Sequence, residues 1–120
     1  MRVLLVEDDV AAREQLTQII QLFPGAQVIE CAERADDAVE WLSQHPSGWD
    51  LALVDLFLAQ GHGFTVLQKC AARSAQQRVV LMSNYAGAPV PTRALEEGAD
   101  AFFDKSSGFG DLLKFCFEDQ

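Results

Sequence analysis

Six residues of this 120-residue chain combine type and place in a way that could do chemistry. Glu7, Asp8 and Asp9 follow one another directly after the apolar run Val3-Leu4-Leu5-Val6. Asp55 is the only charged residue in the stretch Leu51-Ala52-Leu53-Val54-Asp55-Leu56-Phe57-Leu58-Ala59. Ser83 closes Val79-Val80-Leu81-Met82-Ser83, and Lys105 closes Ala101-Phe102-Phe103-Asp104-Lys105. A charged carboxylate inside an apolar strand is costly unless it is paired or emerges into a polar crevice. Several carboxylates in one crevice repel each other unless a cation neutralises them. An all-oxygen set of high negative charge suits Mg²⁺, which keeps several waters and takes one or two carboxylates plus phosphate oxygens. A lysine beside such a set can pair with a carboxylate at rest and with a phosphate oxygen later. A serine hydroxyl can hydrogen-bond a further phosphate oxygen. Asp55 is then a candidate nucleophile toward phosphorus, because carboxylates can form aspartyl-phosphates.

The elements that must position these residues alternate in kind. Val3–Val6 reads as a strand running into an acidic loop. Ala12, Leu16, Ile19, Ile20 and Phe23 follow at the spacing of one helix face, and Pro24-Gly25 ends that helix. Gln27–Glu30 reads as a short second strand. Ala35, Ala38, Val39 and Leu42 form a second helical stripe, closed by His45-Pro46-Ser47-Gly48. The third strand is Leu51–Leu56, followed by the turn Gln60-Gly61-His62-Gly63 and a helix carrying Phe64, Leu67, Cys70 and Ala71. The fourth strand is Val79–Ser83. A weaker helix spans Pro89–Glu97, with prolines near its start and Gly98 behind it. The fifth strand is Ala101–Lys105, and Phe109, Leu112, Leu113 and Cys116 mark the last helix.

Strands that are apolar on both faces and alternate with helices imply a parallel sheet covered on both sides. The expected fold is therefore an α/β, (βα)5 doubly wound five-stranded parallel sheet in the order 2-1-3-4-5. Residues 1–120 read as a single domain with no output domain, linker, repeat or low-complexity tract. In that order the crevice lies at the carboxyl ends of strands 1 and 3, where Glu7, Asp8, Asp55, Ser83 and Lys105 all converge.

Composition narrows the partners. A net charge of −9, from nine basic and 18 acidic residues, argues against direct nucleic-acid binding. No apolar run approaches the ~20 residues of a membrane span, and the N-terminus carries no signal-peptide pattern, so a cytoplasmic location is the default expectation. Cys31, Cys70 and Cys116 are far apart, lie in apolar surroundings and form no CxxC, so they read as reduced core thiols. His45 and His62 read as surface loop residues rather than ligands or bases. Asp9 reads as a helix N-cap.

Taken in order, Leu4–Asp9, Ala52–Leu56, Val80–Ser83 and Gly98–Lys105 resemble the response-regulator receiver domains of two-component signalling, a CheY-like, flavodoxin-like family, over essentially the whole chain. The resemblance implies that Asp55 accepts a phosphoryl group from a histidine kinase or a histidine phosphotransfer protein. Asp8, Asp55 and the backbone carbonyl of Phe57 would ligate Mg²⁺, and Glu7 would hold it through water. Lys105 and Ser83 would take phosphate oxygens, and Phe102 would be the aromatic switch that moves with Ser83. The chain would be a phosphoacceptor that assists its own phosphorylation and dephosphorylation, not a conventional enzyme. Its output would be a changed surface near the fourth helix and fifth strand, met by a downstream protein or by a second copy.

Three positions depart from the family pattern. Ser106 stands where proline usually follows the lysine. A non-proline cis bond is costly, so a trans peptide and a displaced Lys105 are in prospect. Ala59 stands where a proline is usual four residues after the acceptor. Asn84 stands where a small residue is usual, with Tyr85 next. Bulk at Phe57, Asn84 and Tyr85 is expected to shield an aspartyl-phosphate from water and slow its hydrolysis. On the last helix, Phe115 falls off the core stripe and Phe117 lies at its margin, which makes them candidates for a homodimer or partner surface.

Two rival readings are a pseudo-receiver that binds without being phosphorylated and a Mg²⁺-dependent phosphohydrolase with an aspartyl nucleophile. The complete set of Glu7, Asp8, Asp55, Ser83 and Lys105 counts against the first. The second normally needs an acid two residues after the nucleophile, where this chain has Phe57.

Overall fold

The computed structural model describes residues 1–85, 87, 89–107 and 109–117. Five strands and five helices alternate: β1 (Arg2–Val6), α1 (Val10–Ile20), β2 (Gln27–Ala32), α2 (Ala35–Gln44), β3 (Leu51–Asp55), α3 (Gly63–Lys69), β4 (Arg78–Ser83), α4 (Val90–Glu96), β5 (Ala101–Asp104) and α5 (Gly110–Phe117). The strands pair in parallel in the expected order, β2-β1-β3-β4-β5.

The pleat explains why β1, β3 and β4 are apolar throughout. Successive side chains point to opposite faces of a strand. Leu4, Val6, Ala52, Val54, Val79 and Leu81 pack toward α2, α3 and α4 with Ala38, Leu42, Leu67 and Ala94. Val3, Leu5, Leu51, Leu53, Val80 and Met82 pack toward α1 and α5 with Leu16, Ile20, Leu112 and Cys116. The same alternation separates the two adjacent phenylalanines of β5. Phe102 lies half-buried on the α2–α4 face, and Phe103 joins the α1–α5 face.

Element ends differ from the expected ones where side chains intervene. β2 continues to Ala32, held by the Glu7 amide donating to the Ala32 carbonyl at 2.9 Å. β5 ends at Asp104, and Lys105 opens a 3-10 turn over Lys105–Ser107. Both the amide and the hydroxyl of Ser106 donate to Asp104 Oδ1, at 2.9 and 2.6 Å. A proline at 106 could make neither bond. At the start of α1, Asp9 Oδ1 accepts from the Ala11 amide at 3.3 Å, so Asp9 is the N-cap.

Two expectations are corrected. Cys31 is exposed near the end of β2, the edge strand with no strand beyond it, whereas Cys70 and Cys116 are buried. Phe115 and Phe117 are not an uncovered apolar face. Phe115 lies against Phe103 at 5.7 Å between ring centroids, with the Arg78 guanidinium 5.1 Å over its ring. Phe117 stacks on Phe23 at 4.8 Å. The turn after α1, the start of β4 and β5 supply partners that helix periodicity does not report.

Candidate functional site

The site begins with register. Val6 pairs with Val54, so the next residue on each strand, Glu7 and Asp55, emerges side by side at the carboxyl edge. Asp55 in turn pairs with Met82, which puts Ser83 one residue beyond it on β4. Ser83 pairs with Asp104, and Lys105 follows at the end of β5. Four neighbouring strands thus deliver four polar groups to one edge.

Burial makes the cluster electrostatically tense. Glu7 is fully buried and Asp55 only 6% exposed. Ligand oxygens of Glu7, Asp8 and Asp55 all lie within 4.8 Å of one another. Lys105 Nζ sits 2.5 Å from Glu7 Oε1 and 3.6 Å from Asp55 Oδ2, so its main partner is Glu7. Burial, the hydrogen-bonded Glu7 carboxyl and its charge push Asp55 from 3.8 up to about 7, and Lys105 offsets only part of that rise. For Lys105, burial works against the charge, but the bond to Glu7 and the charges of Asp55 and Glu7 outweigh it and raise its pKa. One ammonium therefore does not neutralise three carboxylates, and a hard dication of small radius fits the all-oxygen donor set that is left.

The remaining expected residues are placed as follows. Ser83 is buried, and its Oγ accepts from the Tyr85 amide at 2.8 Å, which leaves its hydroxyl proton to donate. Phe57 lies on the β3–α3 loop and is 46% exposed. Edge contacts join Phe57 to His62 at 5.2 Å and to Tyr85 at 5.6 Å. His62 is more than a surface loop residue: it is half-buried, and its Nδ1 accepts from the Phe64 amide at the start of α3. Lys105 reaches the crevice despite Ser106.

Sequence reasoning missed three supports. Arg13 reaches from α1 to donate to the Glu7 carbonyl at 3.0 Å while pairing with Glu33. Gly63 packs so tightly that a Cβ there would stand 2.7 Å from Leu56 Cα and 2.8 Å from the Asp55 carbonyl oxygen. The Ala59 amide donates to Asp8 Oδ2 at 2.6 Å. The Gly61-His62-Gly63 turn marked a bend rather than a close approach, and Ala59 stood out only as a departure from the family's usual proline.

Residues 3–116 match the family described as the response regulator receiver domain. The chain belongs to that family, and the function of such domains is two-component signal transduction. Among curated relatives, a cyclic di-GMP phosphodiesterase of Thermotoga maritima is 38% identical over 105 residues, covering 88% of this chain and 27% of its own length. The response regulator UvrY of Escherichia coli is 24% identical over 107 residues, covering 89% of this chain and 48% of its own. The chain thus spans half or less of the length of these relatives. The response regulator domain of Thermotoga maritima CheB superposes with a TM-score of 0.80 at 27% identity, covering 99% of this chain and 92% of that one. The receiver domain of a DNA-binding response regulator (merR) from Colwellia psychrerythraea gives 0.83 at 27% identity, covering 100% and 99%. Among the described residues no helix is long and apolar enough to cross a membrane.

Proposed function

We propose that residues 1–120 act as one receiver unit in which Asp55 accepts a phosphoryl group from the phosphohistidine of a kinase or phosphotransfer protein. The observation that carries this is the Asp55 carboxylate, nearly buried at the end of β3 with Glu7 and Asp8 within 4.8 Å and the Lys105 ammonium at 3.6 Å. Asp8 and Asp55, with the Phe57 carbonyl, would hold Mg²⁺, and Glu7 would hold it through water. When bound, the ion supplies charge neutralisation of the carboxylates and of the transferring phosphoryl oxygens.

A carboxylate oxygen of Asp55 forms the new P–O bond as the P–N bond to the donor imidazole breaks, and that bonding pair stays on the imidazole nitrogen. Lys105 exchanges a carboxylate partner for a phosphoryl oxygen, and the Ser83 hydroxyl donates to another. The chain's own contribution is positioning and electrostatics, with no acid or base of its own required. Ser83 and the half-buried Phe102 then shift the population of the surface around α4 and β5, which a downstream protein reads. With Phe115 and Phe117 half-buried against Phe103 and Phe23, that surface is the better candidate for partner contact than α5 alone.

Incubation with Mg²⁺ and acetyl phosphate, or with beryllofluoride, tests this by mass spectrometry or spectral shift. One phosphoryl group per chain is expected, and Asp55→Asn should abolish it. No response at all would leave a pseudo-receiver, and labelling unaffected by Asp55→Asn would place the acceptor elsewhere.

A further inference from the structure

Glu7 is wholly buried, and each of its polar groups has a partner. Its amide donates to the Ala32 carbonyl at 2.9 Å. Its Oε1 accepts from Lys105 at 2.5 Å and its Oε2 from the Asp9 amide at 3.3 Å. Its carbonyl accepts from Arg13 Nη1 at 3.0 Å. Arg13 lies in the first turn of α1, where its amide donates to the Asp9 carbonyl at 2.9 Å. Its side chain is largely covered, and Nη2 meets Glu33 Oε1, on the loop between β2 and α2, at 3.0 Å. One guanidinium thus ties α1 to the carbonyl between the two acids and to a third segment.

We infer that Arg13 is a positioning residue for Mg²⁺ binding, an inference that rests on the metal-binding role proposed above. The Glu7 carbonyl belongs to the peptide that joins Glu7 to Asp8. That unit is planar, so fixing its carbonyl fixes the Asp8 amide and the direction in which Asp8 leaves the chain. The short Asp8 side chain then follows the backbone. Without the guanidinium a carbonyl beside a buried residue loses its partner, and the peptide can turn to find another. The Arg13–Glu33 pair is close to neutral, so it brings orientation to the acidic crevice rather than charge. Groups that orient metal ligands from behind in this way set affinity without touching the ion.

The test is titration with MgCl₂ alone, followed by amide NMR shifts or calorimetry, at a temperature where every variant is folded. Arg13→Met/Glu33→Gln removes the bond and keeps the net charge, and it should bind Mg²⁺ about tenfold more weakly than wild type. The same loss is expected of Arg13→Gln/Glu33→Gln, whose polar side chain ends two bonds short of the guanidinium nitrogens and serves if the methionine variant does not fold. Glu33→Gln alone leaves the Arg13–Glu7 bond and removes one exposed, screened charge, so it should bind within about threefold of wild type. Ile20→Val, about two turns further along α1 in the core, is the control for stability. It and the double variants should all melt a few degrees lower in EDTA, but Ile20→Val should keep wild-type Mg²⁺ affinity. A double variant that binds within about twofold of wild type overturns the inference and leaves the metal site standing. So does a loss as large in Glu33→Gln, which would assign the effect to charge, or in Ile20→Val, which would assign it to stability. A wild-type protein with no Mg²⁺ response overturns the metal site itself, and the inference with it.

Discussion

Replacing Asp55 by asparagine should stabilise the metal-free protein, and by an amount that depends on pH. In the folded chain, burial and the adjoining Glu7 lift Asp55 from 3.8 to about 7. The folded state therefore holds a proton that the unfolded state has already released. At about 1.4 kcal/mol per pH unit, ionised Asp55 would cost the folded state about 4 kcal/mol in a dry crevice. Water reaching the strand ends, and the loss of the Lys105 contact in the variant, reduce the expected gain to about 1–3 kcal/mol. The sign follows from linkage. Below pH ~4 Asp55 is protonated in both states, and the substitution changes little. As pH rises toward 7 the wild type progressively loses stability relative to the variant, and above about 7 the difference is complete. For a chain of this size the gain corresponds to roughly 4–10 °C in Tm. The assay is urea unfolding in EDTA at pH 5 and pH 8. An Asp55→Asn variant no more stable than wild type at pH 8, or one whose advantage is equal or larger at pH 5, would refute the reasoning. Mg²⁺ should then stabilise wild type selectively, because it binds only the folded carboxylate set.

Two further outcomes follow from the surroundings of Asp55. Phe57 and Tyr85, whose rings meet edge-on at 5.6 Å, should keep water from a phosphorylated Asp55, so the label on wild type should persist for minutes or longer. Phe57→Ala should speed its loss about tenfold, equivalent to about 1.4 kcal/mol of barrier, read as decay of phosphorylated protein on a phosphate-affinity gel; label lost from wild type within seconds would sink the idea. Gly63→Ala should destabilise the protein by about 1–3 kcal/mol in urea unfolding, because both close atoms are backbone and the end of β3 must move. An unchanged midpoint would show that the loop has slack.

Much of this protein is legible without coordinates, and particular residues show why. Each polar group of the site follows an apolar run: Glu7 after Val3–Val6, Asp55 after Leu51–Val54, Ser83 after Val79–Met82 and, one residue further on, Lys105 after Ala101–Phe103. In a parallel sheet every strand points its carboxyl end to the same edge, so position along a strand translates directly into position in space. Both-face apolarity marked a parallel sheet covered by helices, and the order 2-1-3-4-5 was expected as the common one for that alternation. What did not translate was contact between groups on different elements. That Lys105 pairs mainly with Glu7 rather than with Asp55 is decided by where the 3-10 turn after β5 leaves the ammonium.

The amino-acid sequence by itself determined the alternation of strands and helices, the parallel sheet and the edge at which the polar groups collect, because periodicity and strand polarity are local properties. Only the tertiary structure decided who holds what. Phe115 and Phe117 looked uncovered because helix spacing counts only its own stripe, whereas Phe103, Arg78 and Phe23 come from elsewhere in the chain. Gly63 and the Ala59 amide had no side-chain signature at all, since a close approach and a main-chain donor belong to the backbone path. The lone carboxylate of the third strand was written in the residue types; its surroundings were written in the packing that brings β1, β3 and their loops within hydrogen-bonding distance.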